Sequence, residues 1–134
     1  MDFVNFDLAK KLKDKGFSGI CSHYYRTKSK DLFMIFPCED WSNIEERVNA
    51  PTISQVLKWL REKSIFVEPC VLADADTDAD GKAINEYTYW SFTVTNIETG
   101  DMIYFEYERI DDKRFDSYEQ SAIAGIKYVL DNVI

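Results

Sequence analysis

The sequence predicts an α+β fold: an antiparallel sheet, made of a three-stranded meander plus an N-terminal hairpin, packed against two to three helices. Three observations carry this expectation. Apolar stripes at helical spacing begin after Thr52 and after Ser117. Between them lie three runs rich in β-branched and aromatic residues, and a helix-and-hairpin pattern precedes both. The C-terminal part therefore runs α-β-β-β-α, like a double-stranded-RNA-binding domain in topology only. Its last helix opens Asp116-Ser117-Tyr118-Glu119, with carboxylates where such a domain grips phosphate.

With 134 residues the chain reads as a single domain, 1–134, and a chain of this size buries roughly two-thirds of its unfolded surface. Its 46% hydrophobic and 15% aromatic content is far from that of a disordered chain, so it should fold unaided.

Near the start, Asn5 caps a helix whose apolar positions Leu8, Ala9 and Leu12 share a face, and Gly16 ends it with Phe17 folded back on Leu12. Ile20 to Thr27 and Leu32 to Phe36 read as two strands around a polar turn at Lys28 to Asp31. From Pro37 to Ala50 no period is legible, and Trp41, Ile44 and Val48 suggest an irregular segment pinned to the core, with room for one helical turn.

Thr52 and Gln55 have capping-box spacing, and Ile53, Val56, Leu57 and Leu60 then form a helical stripe with Trp59 at its edge. Ile65 to Ala73, Tyr87 to Ile97 and Met102 to Ile110 read as the meander, with the hairpin loop at Glu98 to Asp101. Strict alternation directs Trp90, Phe92 and Val94, and likewise Ile103, Phe105 and Tyr107, towards the helices. Tyr87, Tyr89, Thr93, Tyr104 and Glu106 then share the opposite face. Ser117 and Gln120 open the last helix, whose stripe is Ala122, Ile126, Val129, Leu130 and Val133.

The net charge of −8, from 24 acidic and 16 basic residues, repels phosphate backbones and anionic membranes and favours basic partners. Direct nucleic-acid binding and membrane association are therefore not expected. The opening residues lack a signal peptide's basic start and apolar core, no apolar run approaches a membrane span of about 18 residues, and a cytoplasmic location is expected. Cys21, Cys38 and Cys70 are widely spaced without a CxxC pair, so reduced thiols are expected.

Several strings together resemble a group of small uncharacterised proteins of gut Bacteroides-type bacteria and their prophages. They are Leu12-Lys13-Asp14-Lys15-Gly16-Phe17, then Ala50-Pro51-Thr52 with Trp59-Leu60-Arg61-Glu62-Lys63, and Tyr118-Glu119-Gln120-Ser121-Ala122 with Gly125 to Leu130. The resemblance implies a mobile-element setting and transfers no site.

Two places could carry function. Asp74, Asp76, Asp78 and Asp80 before Gly81 concentrate the oxygen ligands that a hard cation such as Ca²⁺ takes, with Asp76, Asp78 and Asp80 at the first, third and fifth positions of an EF-hand-like loop. The twelfth position is Tyr87, so the bidentate closing carboxylate is missing and only weak Ca²⁺ binding is expected. Tyr87, Tyr89 and Tyr104 form the candidate protein-contact patch, because tyrosine offers large area at little rotamer entropy. A Cys₃His zinc site from Cys21, His23, Cys38 and Cys70 lacks any knuckle spacing.

The lone His23 stands with no nucleophile elbow, phosphate loop or dinucleotide fingerprint, so no catalytic residue, cofactor or enzymatic activity is assigned. The leading reading is a non-catalytic protein-interaction module of mobile-element origin with a basic protein partner. Mimicry of nucleic acid, as in small acidic inhibitors of DNA-binding enzymes, is one version of it. The alternatives are a Ca²⁺-binding protein acting through Asp74 to Asp80 and an antitoxin-like regulator. Oligomeric state is not legible in the sequence.

Overall fold

A computed structural model of the chain describes residues 2–40, 45–105 and 115–134. Trp41, Ile44, Glu106, Tyr107 and the expected strand residues to Ile110 lie outside the described residues. The fold is α+β, with two three-stranded antiparallel sheets and three helices among the described residues. The N-terminal hairpin thus belongs to a sheet of its own and does not extend the meander.

Helix α1 spans Phe6–Asp14, and the Asn5 side chain accepts the Leu8 amide at its start. At its end Gly16 has φ of 86°, a left-handed conformation that suits glycine, and the Phe17 amide returns to the Leu12 carbonyl at 2.9 Å. Strands β1 (Cys21–Arg26), β2 (Leu32–Glu39) and β3 (Arg47–Asn49) pair in the order β2-β1-β3. The third strand corrects the expectation of an irregular segment: Val48 lies opposite Tyr25 and is buried, but a three-residue strand is too short to show a period.

Helix α2 (Ile53–Glu62) opens with both bonds of the capping box, Thr52 N–H to Gln55 Oε1 at 2.8 Å and Gln55 N–H to Thr52 Oγ1 at 3.2 Å. Trp59 on its edge is buried and meets Phe17 edge-on at 5.4 Å. The N-terminal residues are tied to this helix start, because Phe3 bridges Thr52 and the Ile53 amide donates to the Asp2 carbonyl.

The second sheet is β4 (Ile65–Thr77), β5 (Ala83–Asn96) and β6 (Met102–Phe105), in that order. Helix α3 (Tyr118–Asn132) lies across β4 and β5, and α2 packs beside it on β4. The helix comes close to the sheet at Gly125, where an added Cβ would come within 2.5 Å of a Val67 methyl and 3.1 Å of the Phe92 ring. One buried cluster joins both halves of the chain: Val4, Leu8 and Leu12 from the N-terminal segment, Val56 and Leu60 from α2, Val67 and Val94 from the sheet, and Ile126, Val129 and Leu130 from α3. At the rim, Lys11 pairs with Asp131 at 2.9 Å and Lys15 Nζ reaches the Ile134 carbonyl.

One face assignment is overturned. Thr95 pairs with Met102 but Val94 pairs with Tyr104, so Ile103 is an extra residue in β6. A one-residue slip sends each following side chain to the other face. Tyr104 therefore turns towards α3, stacking on Phe92 at 5.1 Å and lying 4.3 Å from the Tyr128 ring, while Ile103 is exposed. Alternation alone had assigned these two residues the other way round.

Candidate functional site: the acidic β-arm

Beyond Pro69 and Phe92 the β4–β5 ladder runs on past the Trp90–Phe115 bridge as an arm that is two-stranded among the described residues. Its register stays regular from Ile65↔Asn96 to Asp76↔Asn85 and closes through Thr77↔Ala83. The strands were expected to stop at Ala73 and restart at Tyr87, since aspartate is a poor strand former. Pairing overrides that local preference and draws Asp74 and Asp76 into β4.

This placement decides what the aspartate run can do. Asp74 and Asp76, two residues apart in a strand, project from the same face of the arm. Asp74 accepts the Tyr87 hydroxyl at 3.3 Å, and Asp76 accepts the Asn85 side-chain amide at 3.5 Å. Asp78 does different work, because its Oδ1 accepts the backbone amides of Asp80 and Lys82, both at 2.9 Å, and so holds the turn at the tip. Asp76, Asp78 and Asp80 are thus distributed over a strand and a turn. Among the described residues no three His, Cys, Asp or Glu side chains gather as a metal-ligating group.

From Cys70 to Trp90 the arm carries five carboxylates, Asp74, Asp76, Asp78, Asp80 and Glu86, against the single Lys82. On the face away from α3, Tyr87 and Tyr89 lie side by side, ring centroids 6.4 Å apart, next to Leu72 and Asp74. They stand together as the sequence suggested. Tyr104 does not join them, for the bulge at Ile103 has taken it to the helix side.

The face towards α3 holds a feature the sequence reading missed. Val71, Ala73 and Ala75 on β4 pair with Trp90, Thr88 and Glu86 on β5, forming a shelf of mostly small side chains. Helix α3 begins only at Trp90, where Tyr118 meets the indole edge-on at 5.8 Å. Past that point the shelf is exposed among the described residues: Val71 is 53% exposed, and Ala73, Thr88 and Glu86 are exposed with it. Ala73-Asp74-Ala75-Asp76 alternates apolar and acidic with period two, which is the signal that could have revealed it.

The thiols and the histidine are spread over both sheets. Burial pushes the Cys21 thiol up to about 12, with the negative charges of Asp40 and Cys38 adding to the effect, so it stays protonated at neutral pH. Cys70 is also raised, by burial first and by Glu68 second. His23 has its Nδ1 2.7 Å from Ser22 Oγ and its ring 4.3 Å from Phe3, while Cys70 stands on the other sheet. Asp40 is fixed by the Asn49 side chain at 2.8 Å and by the Gly19 amide at 3.1 Å.

No helix among the described residues is long and apolar enough to cross a membrane. Comparisons with family models, with curated proteins and with solved structures each return no match.

Proposed function

We propose that the protein is a non-catalytic interaction module that presents the β4–β5 arm to a basic protein partner. The single observation behind this reading is the arm itself. A regular two-stranded ladder extends past the helices that cover its base, and it concentrates five carboxylates beside paired tyrosines and an exposed valine. Such a surface combines long-range attraction for a cationic partner with amphipathic rings for contact. The resemblance to small proteins of Bacteroides-type bacteria and their prophages supports a mobile-element setting, in which such a module would act on a host or phage protein.

The test compares the wild-type chain with an arm in which Asp76, Asp80 and Glu86 are each changed to Lys. A control chain carries the same number of reversals on exposed carboxylates away from the arm, Asp7, Glu62 and Asp131. Quantitative affinity capture should recover basic proteins with the wild type and the control, and at least tenfold less with the reversed arm. Equal recovery by all three chains would remove the proposal.

A further inference from the structure

The hydrogen-bond pattern of the second sheet fixes which backbone groups of β4 face outward. The Ile97 amide donates to the Ser64 carbonyl at 2.8 Å, and the register places Ile65 opposite Asn96. Antiparallel pairs alternate between bonded and non-bonded, so the even-numbered residues of β4 bond β5 and the odd-numbered ones point the other way. The far side of β5 agrees: Asn96 and Trp90, from the complementary set, donate to Asp101 and Phe115 on β5's other flank. The N–H and C=O groups of Val71, Ala73 and Ala75 therefore aim at the outer edge of β4, where the described residues supply no strand. Pro69 belongs to the same outward set, so its missing N–H costs the ladder nothing and marks where the usable edge begins.

The same three residues floor the shelf on the α3 side, so outward backbone groups coincide with exposed apolar surface at Val71 and Ala73 and with a half-buried Ala75. On the other face of this stretch stand Asp74 and Asp76. Resting on the acidic-arm reading and specifying its mode, we propose that this edge takes an extended basic segment of the partner as an added strand. The backbone of the incoming segment bonds Val71, Ala73 and Ala75. Its lysine or arginine side chains alternate onto the aspartate face, and its small aliphatic ones lie on the shelf below Trp90 and Tyr118. A second copy of the chain is a poor occupant, because pairing two β4 edges brings carboxylate-rich arms together and like charges across a ladder repel.

The probe is a capped heptapeptide alternating Lys and Val, starting and ending with Lys. Three controls accompany it: the same peptide N-methylated at its valines, a Lys–Gly peptide of equal charge, and a Glu–Val peptide. The Lys–Val peptide should bind the full chain, and amide exchange read by NMR should slow at Val71, Ala73 and Ala75. N-methylation should weaken binding at least tenfold. Ala73→Pro should do the same without moving the unfolding midpoint, because that N–H makes no bond within the sheet; the N-methylated peptide tests the point on the unmutated chain should the variant not fold. Should the Lys–Gly and N-methylated peptides bind as tightly as Lys–Val with exchange unchanged, docking is by charge alone; strand addition is then wrong while the acidic-arm reading stands. Tight binding of the Glu–Val peptide would overturn the basic specificity. Protection of the three amides in the chain alone, together with a dimer in sedimentation, would name a second copy as the occupant. Failure of every basic peptide to bind would remove both readings.

Discussion

The two halves of the β4–β5 ladder share one register and one backbone geometry, yet they live in different surroundings. At the base, Val67, Phe92 and Val94 are buried under α3. In the arm, the corresponding positions Val71, Ala73 and Thr88 open to solvent, and the intervening β4 positions Asp74 and Asp76 are acidic. The contrast shows that continuous pairing does not imply continuous burial. Stability resides where α3 covers the sheet, and the uncovered length is left for contact with something else.

Perturbing the base should therefore cost much more than perturbing the arm. The largest effect is expected at Ile126 on α3, fully buried in the core, where Ile126→Ala should lower unfolding stability by about 2–5 kcal/mol in denaturant titration. Gly125→Ala comes next, since its Cβ would collide with Val67 and the helix must lift from the sheet or the valine must shift; about 1–3 kcal/mol is expected in the same measurement. An Ala variant as stable as the wild type would show that α3 sits farther from the sheet than described.

A third prediction concerns pH. The Cys21 thiol titrates near 9 when unfolded and at about 12 when folded, so above pH 9 the unfolded chain loses a proton that the native state retains. Stability should be unaffected by this group below pH 9 and fall by about 1.4 kcal/mol per pH unit from there towards 12. Cys21→Ala should flatten that part of the profile, read from unfolding midpoints between pH 8 and 11. Thr52→Ala, which removes one side of the α2 capping box, should cost about 1 kcal/mol. The smallest effect belongs to the arm, where Val71→Ser, at a half-exposed site, should change stability by less than about 0.5 kcal/mol. A loss comparable to that of Ile126→Ala would erase the distinction between base and arm.

Most of the architecture was legible because it is written locally. The three helix starts rest on Asn5, Thr52 and Ser117, each of which accepts an amide three residues on, and the stripes behind them became the buried faces of α1, α2 and α3. The tyrosine pair Tyr87 and Tyr89 was legible too, because period-two alternation within one strand needs no partner to define it.

Other features required a second element to exist. Strand β3 is a strand only because Tyr24 to Arg26 lie beside it. Tyr104 changed faces through one extra residue in β6, a register event that no property of Ile103 announces. Asp74 and Asp76 became strand residues because β5 pairs with them, which dispersed a run that resembled a cation loop.

The sequence by itself determined the helices, the order of every element except β3 and the acidic character of the molecule, since caps, periodicity and charge act over a few residues or need no geometry at all. Tertiary structure decided the division into two sheets, the bulge, the length of the arm and the outward edge of β4. Those depend on which strand lies next to which, and hydrogen bonds between distant segments outweigh the preferences of the residues they join.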